Sequence, residues 1–295
     1  MSVPGDKSIS HRALMLGAIA RGSTRVHGFL EGADCLATLE AMRGLGVTIE
    51  RTAPASVRIE GVGLRGLSEP SGILDVGNSG TAMRLLAGLL AAQDFDSELT
   101  GDESLRRRPM ERVAEPLRRM GADVATTGGF PPLRICGGQR LTGIRHCPPV
   151  PSAQVKSALL LAGMYAHGET CVEEQAPTRD HTERMLRAFG CAIVCSPDGI
   201  CVAGRQELTA CEVDVPGDFS SAAFFIVAAC IAGRGPLTIE NVGVNRTRTG
   251  LLDALSQMGA RIELVRPRRV GGEPVADIRA QPARLLGIAV PAVLV

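Results

Sequence analysis

The sequence of 295 residues contains no tryptophan, one tyrosine and seven phenylalanines, so aromatic rings make up only 3% of it. Its core must therefore be built from Leu, Val, Ile and Ala. Lysine is almost as scarce. Of 32 basic residues only Lys7 and Lys156 are lysine, and the rest are arginine. Net charge is nearly absent at +1, which excludes a nucleic-acid binder working through bulk positive charge. With 45% hydrophobic residues the chain also falls outside the disordered class. The longest uncharged apolar run, Ser220 to Gly233, is too short to span a bilayer and reads as a buried helix. The opening residues Met1 to Ser8 lack the apolar core of a signal peptide. Nine cysteines, an odd number without framework spacing, suit reduced thiols and a cytoplasmic setting. Cys191, Cys195 and Cys201 alternate with apolar residues and read as buried strand thiols rather than metal ligands.

What the chain does have is internal repetition. An apolar residue, a glycine and a small or apolar residue recur at Leu45-Gly46-Val47, Met120-Gly121-Ala122, Phe189-Gly190-Cys191 and Met258-Gly259-Ala260. These glycines lie 75, 69 and 69 residues apart. Each follows an amphipathic stretch such as Asp180 to Phe189, whose Asp-x-x-Glu start reads as a capping box and whose glycine reads as a helix stop. Alternating strands follow, as in Val57–Gly61, Leu133–Gly137, Ile200–Gly204 and Val275–Arg279.

About forty residues before each helix stop lies a small polar turn. The four turns are Asp6-Lys7-Ser8, Asn78-Ser79-Gly80, Ser152-Ala153-Gln154 and Asp218-Phe219-Ser220. Behind them come apolar helices over 13–20, 82–92, 157–166 and 222–232, which all-round apolarity predicts to be buried. The pattern predicts an α/β fold of repeated β-α-β-α-β-β units, each about seventy residues long and present four times.

A buried helix with free N-terminal N–H groups is a ready anion site. Several such ends brought together would suit a substrate rich in phosphate and carboxylate. The side chains at the turns fit this: Lys7, Ser8 and Arg12; Asn78, Gly80, Thr81 and Arg84; Ser152, Gln154 and Lys156. One of the run Arg106-Arg107-Arg108 is expected to turn inward, with the other two in water. The five histidines are not at metal-ligand spacing, and His11 reads as a bystander. The G-x-G-x-x-G of Gly61 to Gly66 is followed by Ser68, Pro70 and Gly72 rather than a helix, so it lacks a dinucleotide-binding context.

These segments resemble a known family. Pro4 to Arg12 looks like the opening motif of 3-phosphoshikimate 1-carboxyvinyltransferases (EPSP synthases), and Gly77 to Arg84 resembles their second signature. Thr100-Gly-Asp, the run ending at Pro109, Ser152 to Ser157 and Thr178 to Thr182 agree in order and spacing along nearly the whole chain. The related transferase acting on a UDP-sugar fits less well. The resemblance implies an inside-out α/β barrel fold and transfer of an enolpyruvyl group from phosphoenolpyruvate to the 5-hydroxyl of shikimate 3-phosphate. It implies neither metal nor organic cofactor, no nucleic-acid or membrane partner, a monomer, and glyphosate as an inhibitor. Carried over by position, Lys7 is the catalytic candidate touching both substrates. Ser8, Arg12, Ser152, Ala153 (through its N–H), Gln154 and Thr178 would bind shikimate 3-phosphate. Asn78, Gly80, Arg108 and Gln154 would face phosphoenolpyruvate, with Arg84 in support.

The family has six units in two domains, and this chain shows four. The resemblance therefore implies a whole three-unit domain over 8–214. Residues 1–7 and 215–295 would form a third of the other domain. The tail Leu285–Val295 resembles the approach to a fifth unit. No Asp or Glu matches the family's general base, so the chain is expected to bind shikimate 3-phosphate weakly, with little or no turnover. A non-catalytic binding fragment is the alternative. The helix over 222–232 is expected to expose apolar surface.

Overall fold

The structure is a computed structural model and describes residues 1–291. The chain begins α1 (Lys7–Ile19), β1 (Arg21–His27), α2 (Ala33–Gly44), β2 (Thr48–Ala53) and β3 (Ser56–Val62). Next come β4 (Leu74–Asp75), α3 (Gly80–Leu90), β5 (Ser97–Thr100), α4 (Glu111–Arg119), β6 (Asp123–Thr127) and β7 (Phe130–Cys136). They are followed by β8 (Arg145–His146), α5 (Ala153–Gly163), β9 (Glu169–Val172), α6 (His181–Ala188), β10 (Ile193–Ser196) and β11 (Gly199–Ala203). The last stretch is β12 (Glu212–Asp214), α7 (Phe219–Ala232), β13 (Leu237–Gly243), α8 (Gly250–Gln257), β14 (Arg261–Val270) and β15 (Glu273–Gln281).

Local chemistry accounts for the helix ends. Asp6, Ser79, Ser152 and Asp218 cap α1, α3, α5 and α7 by accepting the N–H of Ile9, Ala82, Val155 and Ser220. After α2, α4, α6 and α8 the chain turns at Gly46, Gly121, Gly190 and Gly259, whose φ values of +87, +99, +84 and +88° favour glycine. The expected capping box at Asp180 is absent. The Asp180 side chain caps no N–H; its oxygens go to Arg184 and Asn245 instead. Glu183 is buried and meets Lys156.

Three four-stranded sheets share one plan, a short parallel strand beside three antiparallel ones: β12-β1-β3-β2, β4-β5-β7-β6 and β8-β9-β11-β10. The parallel partner of β1 is β12, so the strand that follows the third stretch completes the first sheet. The fourth sheet, β13-β15-β14, has three strands. One apolar cluster runs from Ile9 to Val215 and a separate one from Phe219 to Ala280. In the first, α1, α3 and α5 are buried throughout most of their length. There α3 and α5 touch so closely that a Cβ on Gly88 would fall 2.2 Å from the Ala158 carbonyl oxygen.

The fourth apolar helix departs from the burial expected of all four. On α7, Phe224 is 79% exposed and Ile231 66%, because the three-stranded sheet covers only one of its faces. The reading of the cysteines is also corrected. Antiparallel register sets Cys201 directly opposite Cys171, with their Cα atoms 4.1 Å apart, and the two form a disulfide. Cys195 is an exposed thiol, and only Cys191 of the three is a buried one.

Gly61 and Val62 belong to β3 and its end, and the next helix is α3, so no phosphate-binding helix follows that glycine run. In the tail, Leu285 packs on the second cluster and Leu286 N–H bonds the Met258 carbonyl, while residues 292–295 lie outside those described. No helix among the described residues is long and apolar enough to cross a membrane.

Candidate active site

The N-terminal ends of α1, α3 and α5 are bonded to one another in a closed triangle. His11 joins α1 to α3, its Nδ1 lying 2.8 Å from Thr38 Oγ1 and its Nε2 3.2 Å from the Ser79 cap. Burial, then the neighbouring Arg12 charge, hold this imidazole down at about 3, so it is neutral. Arg12 joins α1 to α5 and α6: Nε donates to Thr182 (2.6 Å), Nη2 to Ser157 (2.8 Å) and Nη1 to the Ser8 carbonyl (2.9 Å). Gln154 closes the triangle, accepting from Arg84 Nη1 (2.5 Å) and donating to Thr81 (2.8 Å). Three helix N-termini thus share one end of the first cluster, with their partial positive charges together.

Two groups of side chains sit at that end. Around α3 and α5, Arg108 bonds Asn78, whose amide donates to Asp102 (2.7 Å). Asp102 also caps the Leu105 N–H, and these bonds hold its carboxyl below the usual range. The hydrogen bond from Arg108 fixes it as the inward-turned member of its run, while Arg106 and Arg107 are exposed. Arg108 and Arg84 both close on Gly80, where a Cβ would stand 3.0 Å from Arg84 Nη1 and 3.3 Å from Arg108 Nη1. Burial, then the charges of Arg112 and Arg108, push the Arg84 guanidinium down. Cations crowded this way favour an anion between them.

The second group lines a cavity of about 520 Å³ where α1 and α7 begin, formed by Lys7, Ser8, Asp34, Arg179, Ser220 and Arg248 among others. Lys7 is half-exposed and pairs with Asp34 at 2.8 Å. Arg248 is claimed by Asp6 and Asp218. Arg179 makes no ion pair or side-chain hydrogen bond among the described residues, and burial together with the Arg248 charge lowers its pKa.

The candidates named from the sequence therefore divide. Lys7, Ser8, Asn78, Gly80, Arg84, Arg108, Ser152, Ala153 and Gln154 all lie at or beside the first turns of α1, α3 and α5. Arg12 is buried, with all three of its donor nitrogens given to protein groups, so it braces the Ser8 turn. Thr178 is turned to Glu174, which accepts from both its N–H (3.1 Å) and its hydroxyl. Lys156 does not face the anion side. It is 1% exposed, with Nζ 2.6 Å from the buried Glu183 and 3.0 Å from the partly buried Glu174, because a carboxylate buried there requires a cation.

Arg179, Thr182 and Ser157 were missed. Arg179 stands beside Thr178 in a quoted motif, but an arginine in so arginine-rich a chain carries no signal of its own. Among the described residues, the one cluster with metal-ligand closeness is Glu169, Cys171 and Cys201, and its sulfurs are bonded to each other.

Comparison with known proteins agrees with the motifs. The family described as EPSP synthase (3-phosphoshikimate 1-carboxyvinyltransferase) matches residues 1–293. Proteins named 3-phosphoshikimate 1-carboxyvinyltransferase from Methylococcus capsulatus and Halorhodospira halophila are 57% and 59% identical over 98% and 99% of this chain. A solved EPSP synthase from Acinetobacter baumannii superposes with a TM-score of 0.91 at 54% identity, over 99% of this chain and 66% of that one. The chain spans about 66% of the length of the two named relatives. Motifs, fold and whole-chain similarity agree: the chain belongs to the EPSP synthase (3-phosphoshikimate 1-carboxyvinyltransferase) family.

Proposed function

We propose that this chain carries the shikimate-3-phosphate-binding part of an enolpyruvyl transferase, whose reaction passes the enolpyruvyl group of phosphoenolpyruvate to the 5-hydroxyl of shikimate 3-phosphate and releases phosphate. The observation that carries the proposal is the bonded triangle of α1, α3 and α5 N-termini, with Lys7, Arg84, Arg108 and Arg179 around it. Both substrates bear a phosphate and a carboxylate, and fixed donors aimed at such charge are the largest catalytic contribution a site of this kind can make. The names of the relatives support this substrate over a UDP-sugar.

In this reading Ser8, Ser152, the Ala153 N–H, Gln154 and Arg179 hold shikimate 3-phosphate, with Arg12 bracing the Ser8 turn. Asn78, Gly80, Arg84 and Arg108 receive the phosphoenolpyruvate phosphate, and Lys7 reaches both substrates. Glyphosate, itself a phosphonate with a carboxylate, would compete at Gly80, where an added methyl meets the two guanidiniums. Residues 8–214 act as one domain, and 1–7 with 215–295 belong to a second; the two separate apolar clusters support that division.

Proton removal from the 5-hydroxyl needs a free base. The carboxylates lining the α1–α7 cavity are committed, Asp34 to Lys7 and Asp218 to Arg248, so the chain binds but turns over slowly. A general base is worth about 10²–10⁴-fold in rate. Calorimetric titration with shikimate 3-phosphate tests the proposal. The expected result is saturable binding, weakened about tenfold or more by Lys7→Met, an estimate for loss of one charge-assisted contact. No binding by the unmodified chain would sink it. Rapid phosphate release from phosphoenolpyruvate would remove the claim of slow turnover while leaving the substrate assignment standing.

A further inference from the structure

Two segments of identical sequence, Val3-Pro4-Gly5-Asp6 and Val215-Pro216-Gly217-Asp218, lie side by side where the chain passes between the two apolar clusters. They run antiparallel and are bridged at Gly5 and Gly217. The bonding is reciprocal: Asp6 N–H donates to the Pro216 carbonyl and Asp218 N–H to the Pro4 carbonyl, each at 2.8 Å. Packing is tight enough that a Cβ on Gly5 would stand 1.8 Å from the Gly28 carbonyl oxygen. Each segment ends in the aspartate that caps the following helix. Asp6 accepts the Ile9 N–H at 3.0 Å, and Asp218 accepts the Ser220 N–H at 2.9 Å.

One guanidinium serves both caps. Arg248 Nη1 is 3.3 Å from Asp6 Oδ2, and Nη2 is 3.0 Å from Asp218 Oδ1 and 2.8 Å from Ser220 Oγ. The Arg248 side chain is 7% exposed, and those of Asp6 and Asp218 are 7% and 12% exposed. Burial, then the Asp6 charge, raises the Asp218 carboxyl. The arginine is itself anchored. Its N–H bonds the Asn245 carbonyl (2.8 Å), and the Asn245 amide donates to Asp180 (2.6 Å) and Glu273 (3.2 Å).

We propose that Arg248 is a positioning residue that holds the N-terminal turns of α1 and α7 together, so that Lys7 and Ser8 on one helix and Ser220 and Ser221 on the other face a single anion cavity. The proposal rests on the shikimate-3-phosphate reading of that cavity. Its physical core is charge. Without Arg248, two buried carboxylates oppose each other, and the remaining charged groups at the cavity are Arg179 and the Lys7–Asp34 pair. One aspartate must then hold a proton or push its helix away from the other. A second carboxylate charge would also repel the anionic ligand.

The test compares unmodified protein, Arg248→Gln, Arg248→Lys and the double variant Arg248→Gln with Asp218→Asn, each checked for folding by thermal melting. Shikimate 3-phosphate affinity is measured across a series of pH values, because burial and a like charge push a carboxyl up. Reporting the ratio of variant to unmodified Kd cancels the ligand's own titration. Arg248→Gln is expected to weaken binding about tenfold or more, as for truncation of one partner of a buried charge pair, with the ratio growing as pH rises. Arg248→Lys should recover part of the affinity and remove the pH trend. Asp218→Asn should flatten the trend left by Arg248→Gln.

A second readout follows the Asp6 and Asp218 carboxyl carbons by NMR. The carboxyl titration should move to higher pH in Arg248→Gln than in the unmodified chain. If Arg248→Gln fails to fold, the Lys variant decides through its affinity and carboxyl titration. Unchanged affinity, a flat ratio in Arg248→Gln, or a trend that survives Asp218→Asn overturns the proposal. Failure of the unmodified chain to bind shikimate 3-phosphate overturns the functional reading instead, and the carboxyl titration still decides whether Arg248 holds the two caps.

Discussion

Helices α1 and α7 begin from the same Val-Pro-Gly-Asp segment, yet eleven of thirteen residues are buried in α1 and five of fourteen in α7. Counting from the capping aspartates, His11 and Arg12 correspond to Ala223 and Phe224. In α1 these two positions are polar, buried and bonded to four neighbouring helices; in α7 the arginine's counterpart is a phenylalanine in water. The same start signal specifies a helix in both places. What decides burial is the set of partners, which for α1 includes α2, α3, α5 and α6 and for α7 is one three-stranded sheet. The comparison also separates two ways of using a helix end. Polar residues tie α1 into a site, whereas apolar ones leave α7 with an uncovered face.

The sharpest challenge to this contrast is a matched pair of core truncations. Leu159 on α5 and Ile226 on α7 are both fully buried. Leu159→Ala removes a side chain packed on all sides and is expected to cost about 2–5 kcal/mol, with a cavity that neighbours cannot close. Ile226→Ala should cost at or below the lower end of that range, since a helix with a free face can settle inward. Urea unfolding of both variants measures the difference. Equal losses would mean that the two clusters are equally confined and would break the comparison.

A smaller effect tests the polar tie between α1 and α3. His11 is held neutral with its pKa near 3, against an ordinary value of 6.5, so the unfolded chain binds the extra proton first. Stability from this group is complete above about pH 6.5 and falls as pH drops toward 3, by up to ~1.4 kcal/mol for each pH unit in that window. Below the folded value the slope vanishes. His11→Gln should lower stability at pH 7 and remove this part of the acid slope, as read from denaturation midpoints at pH 7, 6 and 5. α7 has no histidine in its first turns, so equivalent changes there leave the slope unaltered.

Much of this could be read from residue order. Helix caps and glycine stops are local chemistry, so Asp6, Ser79, Ser152 and Asp218 and the glycines at 46, 121, 190 and 259 marked helix ends correctly. The polar turns that begin α1, α3 and α5 were legible for the same reason. Long-range pairing was not. Nothing near Cys201 announces Cys171 across the strand, and the Asp180-x-x-Glu183 pattern gives no hint that both acids are claimed by distant partners. Lys156 shows the limit most plainly: its place behind a helix start matches that of Lys7, and only the fold turns it inward to Glu174 and Glu183. Arg179 went unnoticed because its distinction is the lack of a partner among the described residues, a property no sequence displays.

The weakest change in stability carries its own information about the uncovered face. Phe224 is 79% exposed, with Phe225 at 42% beside it, so Phe224→Ser removes apolar surface from water rather than from a core. Its effect on unfolding free energy should stay within about 0.5 kcal/mol, as for surface positions generally. Exposed rings of this size do favour association, because burying each against another apolar surface gains free energy in proportion to the area covered. Sedimentation or light scattering across a concentration series should therefore show less self-association for Phe224→Ser than for the unmodified chain. The matching change on α1, Arg12→Ser, should do the reverse. It removes the guanidinium bonds to Thr182, Ser157 and the Ser8 carbonyl, costs stability, and does nothing for solubility. A Phe224→Ser variant that unfolds as readily as Arg12→Ser would show that the exposed face is already covered in solution, and the contrast between the two helices would then be one of partners rather than of exposure.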